Sequence, residues 1–323
     1  MRSSISFSRL LALAIVAFLL AACAIAVPKE WEPLLEDLRV YQRRVGFERF
    51  DSFLEFSAEQ GKYTFCGQVS QLYLPYSYED PAIRWIDATE AECRNVNSRT
   101  DAYFGTVETT GEVGAAVTNE VLGAPLHRFV YLVLHEDCHD EFELPYGIEE
   151  ALCNLIAYRG MVGFSESKYR WLSRENLAIR RYAAGETVQT QTVKTIYEEL
   201  ERRYLAYAKG LITAEVLLED RARILARAER QLRWKRGSLN NVGLANEMTY
   251  SRHYPYLEEV HAALGSDLAR TMAFFKRVDS AKPARREVMK RLRLKSETGV
   301  EFLRAYEAEV VRTIAAELAR TAR

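Results

Sequence analysis

His135 and His139 occupy positions i and i+4 behind an apolar run, Glu136 directly follows the first of them, and Glu150 lies in the next segment. On a helix, side chains at i and i+4 share a face one turn apart, so both imidazoles reach one metal ion. Glu136 then falls beside the ion, where a carboxylate can take a proton from a water that the metal activates. Glu150 supplies a third protein ligand and leaves a fourth position open, the arrangement of a catalytic zinc site. The pattern predicts one Zn2+ per chain, with His135, His139 and Glu150 as ligands and Glu136 as general base. The bland alternative is an amphipathic helix with two surface histidines. The run Phe129-Val130-Tyr131-Leu132-Val133-Leu134 argues against it, because so apolar a helix is buried and a buried histidine needs a partner.

The segment Gly147 to Asn154 offers two carboxylates for one ligand position. Glu150 and Asn154 are four apart and share a face. Asn154 is therefore expected to hydrogen-bond a ligand histidine and fix its tautomer. Glu149 has Leu152 and Cys153 at the equivalent positions and reads as an acid favoured by the helix dipole at an N-terminus. Asp137 and Asp140 are either supports for a ligand imidazole or solvent-exposed acids. His127 and His261 read as non-ligands.

At the N-terminus, Arg2 and Arg9 precede an apolar run from Leu10 to Ala22. The run is too short to span a bilayer and has the form of a secretory signal over residues 1–22. Its end, Leu20-Ala21-Ala22-Cys23, resembles the lipobox of bacterial lipoproteins. That resemblance implies cleavage before Cys23 and membrane attachment through lipid on Cys23. Ala24 after the cysteine implies the outer membrane, on its periplasmic side. An exported chain meets oxidising conditions. Cys66, Cys93, Cys138 and Cys153 allow three full pairings. Cys66–Cys93 with Cys138–Cys153 is the economical choice, and buried free thiols are the alternative.

The chain has 323 residues, 48% of them hydrophobic, and a net charge of −1. It can bury a substantial core, and it gives no electrostatic case for nucleic acid as a partner. Glycines, prolines, β-branched and aromatic residues mix over 60–120, and Lys62–Cys66 and Ala102–Val107 read as strands. Helix is expected from Trp31 to about Phe56, over Leu126–Leu144 and Ile148–Val162, over Ser167–Ala184 and Thr190–Lys235, and over Glu301–Ala322. The fold class is mainly α (α+β), with one domain over 23–323, a small β-containing part at 60–120 and long helices over 125–323.

His135 to His139 with Gly147 to Asn154 resembles the zinc site of gluzincin metallopeptidases, the thermolysin-like class. Position by position, the resemblance implies His135, His139 and Glu150 as ligands and Glu136 as base. Asn154 falls where that class has a supporting aspartate. A wider likeness, over roughly 100–280, is to bacterial lipoproteins described as predicted aminopeptidases. It rests on Thr109 to Gly114, the histidine motif, Glu150 to Gly160, and Leu239-Asn240-Asn241 with Tyr250 and Pro255. Asp137-Cys138 departs from that family's usual apolar and small pair. The resemblance implies a zincin-like fold and a peptide substrate. It ranks Tyr250 first as donor to the reaction's oxyanion, with His253 and Tyr254 as further candidates for binding substrate. Glu112 is the candidate for holding a substrate amine, and Asn240 and Asn241 read as helix caps.

Overall fold

The structure, a computed structural model, describes residues 29–57, 63–108 and 115–321. The signal segment with Cys23, and Glu112, lie outside the described residues. The first part contains α1 (Glu32–Arg44), β1 (Phe56–Ser57), β2 (Tyr63–Ser70), β3 (Arg84–Ile86), α2 (Glu90–Arg94), β4 (Thr100–Val107), β5 (Val117–Thr118) and α3 (Asn119–Gly123). Helices alone follow: α4 (Leu126–His139), α5 (Tyr146–Lys168), α6 (Arg174–Ala208), α7 (Ala214–Leu232), α8 (Asn241–Ser251), α9 (Tyr254–Ala263), α10 (Leu268–Ala281), α11 (Arg285–Leu292) and α12 (Val300–Thr321). The fold is mainly α with a small β part, as the composition of 60–120 implies.

Strand β2 pairs antiparallel with β3 on one side and with β4 on the other, the latter from Tyr63↔Val107 to Ser70↔Thr100. The expected strand Ala102–Val107 lies within β4, and Tyr63–Cys66 of the other opens β2, while Lys62 lies outside the described residues. Helix α8 packs on this sheet, where Val242 and Ala245 meet Val69 and Ile83. A disulfide from Cys66 to Cys93 fastens α2 to β2.

Helices α4 and α5 form a hairpin at the centre of the main core. Every residue from Phe129 to Cys138 is buried, which is why the segment shows no polar face in sequence. Pro125 precedes α4 and Pro145 precedes α5, both at positions where the missing N–H costs nothing. A second disulfide, Cys138–Cys153, joins the two helices. Both pairings are the economical ones. A second core lies between α6 and α7, with Tyr197, Leu200, Leu217 and Ile224 among its members.

Several boundaries differ from expectation, among them the end of α5, which runs to Lys168 rather than Val162, so that the next helix starts at Arg174 rather than Ser167. Helix α1 stops at Arg44, well short of Phe56, because Gly46 turns the chain at φ +100°. Its neighbours close the helix end, with Gly46 N donating to Arg43 O and Phe47 N to Gln42 O, the pattern of a glycine C-terminal cap. Helix α4 ends at His139 rather than Leu144. Helix α6 runs unbroken through Gly185, where two helices were expected. A glycine inside a helix costs about 1 kcal/mol, and the burial of Ile179, Ala183, Val193 and Ile196 on one helix face outweighs that. The break falls instead at Gly210, φ +70°, before the Thr213 cap of α7.

The Cys138–Cys153 bond closes a loop with a sequence separation of 15. Serine at both positions is expected to lower the unfolding free energy by about 2–4 kcal/mol, read from urea melts under non-reducing conditions. Identical melts for variant and wild type would show that the bond adds nothing to the fold.

Candidate metal centre

Three side chains meet where α4 ends and α5 begins. The Nε2 atoms of His135 and His139 are 3.3 Å apart. Glu150 Oε2 lies 3.2 Å from His135 Nε2 and 3.5 Å from His139 Nε2. His135, His139 and Glu150 are the only group of three or more potential ligand residues of this kind among the described residues. A four-coordinate ion with bonds of about 2.0–2.1 Å sets neighbouring donors about 3.3 Å apart, so the triangle fits such an ion. His135 and Glu150 are each 5% exposed, and with His139 they form a group that can hold a metal.

The electrostatics of the triad point the same way. Burial works against charge at Glu150, yet the two imidazoles hold its carboxyl well below the usual range. Burial likewise opposes a charged His139, while Glu150 and Glu149 hold its pKa well above the ordinary value. His135 is lowered, chiefly by burial. A carboxylate stabilised by two imidazoles in a dry site is a ready position for a cation.

Each imidazole is held from behind. Glu149 Oε1 lies 2.9 Å from His139 Nδ1, and its other oxygen accepts from Leu144 N at 2.7 Å. Glu149 therefore pins both the imidazole and the loop between the helices, more than a dipole-favoured acid. On the other histidine, Nδ1 lies 3.4 Å from the Tyr131 hydroxyl, which donates to Asn154 Oδ1 at 2.7 Å. Asn154 therefore supports His135 through Tyr131 rather than by the direct bond expected. With Nδ1 protonated and its hydrogen directed at Tyr131, His135 Nε2 is left free to face the triad. Sequence reading missed both supports. Glu149 was legible only as the neighbour of Glu150, and Tyr131 only as His135 less one helical turn.

Glu136 is 7% exposed and makes no hydrogen bond or ion pair among the described residues. Burial pushes its carboxyl up to about 8, with Glu150 adding and His139 opposing. It faces a cavity of about 780 Å³ that also exposes the triad, Glu149 and Tyr250. The far wall is sheet, with Phe65 from β2 and Tyr103 and Thr106 from β4. The Tyr250 ring centroid lies 6.3 Å from that of His135. Its hydroxyl is held protonated, first by the nearby Glu150 charge and then by burial.

The other candidates lie elsewhere. His253 Nε2 is 2.7 Å from Glu307 of α12, and the Tyr254 hydroxyl is 3.2 Å from Thr187 Oγ1. Neither residue lines the cavity. One helix face cannot serve all three, because Ser251 ends α8 and a new helix begins at Tyr254. Asp137 accepts from Gln42 of α1 at 2.7 Å, and Asp140 accepts from Asp51 N at 2.9 Å. Both tie the hairpin to the N-terminal segment and neither supports a ligand imidazole. Asn240 caps α8, accepting from Gly243 N at 3.0 Å. The His127 ring packs tilted against Tyr182, with centroids 4.9 Å apart, and His261 pairs with Thr271. No family model matches the chain, and neither does any curated protein or solved structure.

Glu149→Gln and Tyr131→Phe are each expected to weaken metal binding about 10- to 100-fold, read by competition with a chromophoric chelator. Unchanged affinity in both would show that the ring orientations do not depend on these partners. Glu247 also lines the cavity, and burial with nearby Glu186 raises its carboxyl to about 7. A raised carboxyl costs the folded state nothing below about pH 4, where it is protonated folded or unfolded, and costs most above pH 7. Glu247→Gln should therefore gain stability over wild type as pH rises from 5 to 8, followed by thermal melts. A gain that shrinks over this range contradicts the assignment.

Proposed function

We propose that this chain is a zinc-dependent metallopeptidase of the gluzincin type, with a zincin-like catalytic region, acting as an aminopeptidase in a bacterial cell envelope. The single observation that carries the reading is the triangle of His135, His139 and Glu150 donors opening onto a large cavity beside a buried Glu136 that has no hydrogen-bond partner among the described residues. A purely structural metal site is closed by four protein ligands, and this one offers three among the described residues. The donor set of two imidazoles and a carboxylate suits zinc.

When bound, zinc supplies Lewis acidity, lowering the pKa of water and polarising a carbonyl. Glu136 takes the proton from the attacking water and passes it to the leaving amine. A base with a pKa near working pH does this well, and burial places Glu136 in that region. Tyr250 donates its hydroxyl hydrogen to the oxygen that gains charge as the carbonyl is attacked. Its raised pKa keeps that hydrogen in place. Tyr131 and Glu149 orient the two imidazoles, and Asn154 orients Tyr131. Lipid on Cys23 anchors the enzyme, with the outer membrane's periplasmic side as its place of action.

The test is peptide turnover by the zinc-loaded protein. Glu136→Gln should keep zinc and lose activity by 100-fold or more, on the order of a general base's contribution. Tyr250→Phe should lower kcat by roughly 100- to 1000-fold with little change in KM, as removal of an oxyanion donor does. Zinc-loaded protein that hydrolyses no peptide in a mixed library, or whose activity survives Glu136→Gln, overturns the reading.

A further inference from the structure

A carboxylate from the last helix stands behind the metal centre. Glu307 on α12 is 3% exposed. Its Oε2 accepts from the Tyr76 hydroxyl at 2.6 Å and lies 2.7 Å from His253 Nε2. Its Oε1 faces Gly147 in the first turn of α5, 2.7 Å from where a Cβ on that residue would stand. A side chain at 147 would therefore collide with a carboxylate that two partners already hold. Burial opposes charge on Glu307, yet His253 and Tyr76 hold its carboxyl below the usual range. The positive end of the α5 dipole favours the same charge. Glu307, Tyr76, His253 and Gly147 all lie outside the cavity lining.

We propose that Glu307 is a positioning residue, which sets the start of α5, and with it Glu150, against the junction of α8 and α9, and with it Tyr250. The effect on turnover rests on the peptidase reading; the effect on metal binding rests on the triad alone. Gly147 precedes Glu150 by three residues, one turn of α5. His253 follows Tyr250 by three, across the break between α8 and α9. The segment around Tyr76 is fastened to the same break. Tyr78 N donates to Thr249 Oγ1 at 3.0 Å. The Arg252 guanidinium donates to Tyr76 O and lies 3.7 Å from the Tyr76 ring centroid. Arg304, one turn before Glu307 on α12, covers that ring at 4.5 Å. These contacts bracket Tyr250 on both sides, while its own side chain lines the cavity. A buried carboxylate contributes little net stability. What its bonds fix is direction and distance, and a displacement of about 1 Å at a reacting centre costs roughly 100-fold in rate.

The experiment compares wild type, Glu307→Asp, Gly147→Ala and the double variant. Aspartate is one methylene too short to keep all its contacts, and the alanine methyl pushes the carboxylate away. Each single variant should lower kcat per zinc-loaded molecule roughly 10- to 100-fold with little change in KM, and weaken zinc binding about 10-fold. In the double variant the shorter acid leaves room for the added methyl. Its losses should be smaller than the product of the two single losses. Thermal melts and zinc content restrict the comparison to folded, loaded protein. A residue that only stabilises the fold would lower Tm and leave kcat per loaded molecule and zinc affinity at wild-type values. That result overturns the proposal, as does a double variant whose losses simply multiply. If neither single variant folds, Tyr76→Phe decides the matter. It removes one of the two bonds to Glu307 Oε2 and should lower kcat about 5-fold, the worth of one hydrogen bond; unchanged kcat overturns the proposal. If wild type hydrolyses no peptide, the peptidase reading fails and zinc affinity decides alone. Weakening in both single variants with partial recovery in the double supports the positioning role, and unchanged affinity overturns it.

Discussion

Two imidazoles and a carboxylate within 3.5 Å of one another, removed from water, are the constraint on which the rest of this structure depends. Burial penalises the charge on Glu150 and disfavours protonated imidazole. A divalent cation held there would resolve both penalties, because the carboxylate would pair with it and the neutral nitrogens could serve as ligands. The surrounding fold can be understood as what keeps these donors together despite their cost. Helix α4 is buried all round, α5 lies against it, and the Cys138–Cys153 bond holds the helices where the triad meets.

The same hairpin explains why acids crowd this region without competing as ligands. Glu149 is tied to His139 and to the backbone of Leu144. Asp137 reaches back to Gln42, Asp140 to Asp51 N, and Glu141 to the backbone of Glu48 and Arg49 at 2.6 Å. These bonds draw the N-terminal segment onto the end of α4. Glu136 makes no such bond among the described residues and is turned into the cavity. A group of like-charged side chains is thereby sorted by hydrogen bonding into one carboxylate at the triad, one facing the cavity and several clamps.

Much of this was legible in the sequence, and the reason is periodicity. The i, i+4 spacing of His135 and His139, and the placing of Glu150 on the following helix, specify a shared face before any coordinates exist. The β character of 60–120 and the two disulfide pairings could also be read. Where α1 ends depends on a glycine in the left-handed region at Gly46, and where α6 continues depends on tertiary packing that outweighs Gly185; propensity decides neither. Tyr131 was read as part of an apolar run, since nothing in sequence shows that its hydroxyl stands between His135 and Asn154. His253 and Tyr254 follow Tyr250 closely, but the change of helix after Ser251 carries them to different neighbours.

Anomalous diffraction at the zinc absorption edge, from crystals of the protein purified without chelator, tests the central claim most directly. The account predicts one strong peak, placed about 2.0–2.2 Å from His135 Nε2, His139 Nε2 and a Glu150 oxygen. A peak bound by other residues, or none at this triad in crystals soaked with zinc, would contradict it.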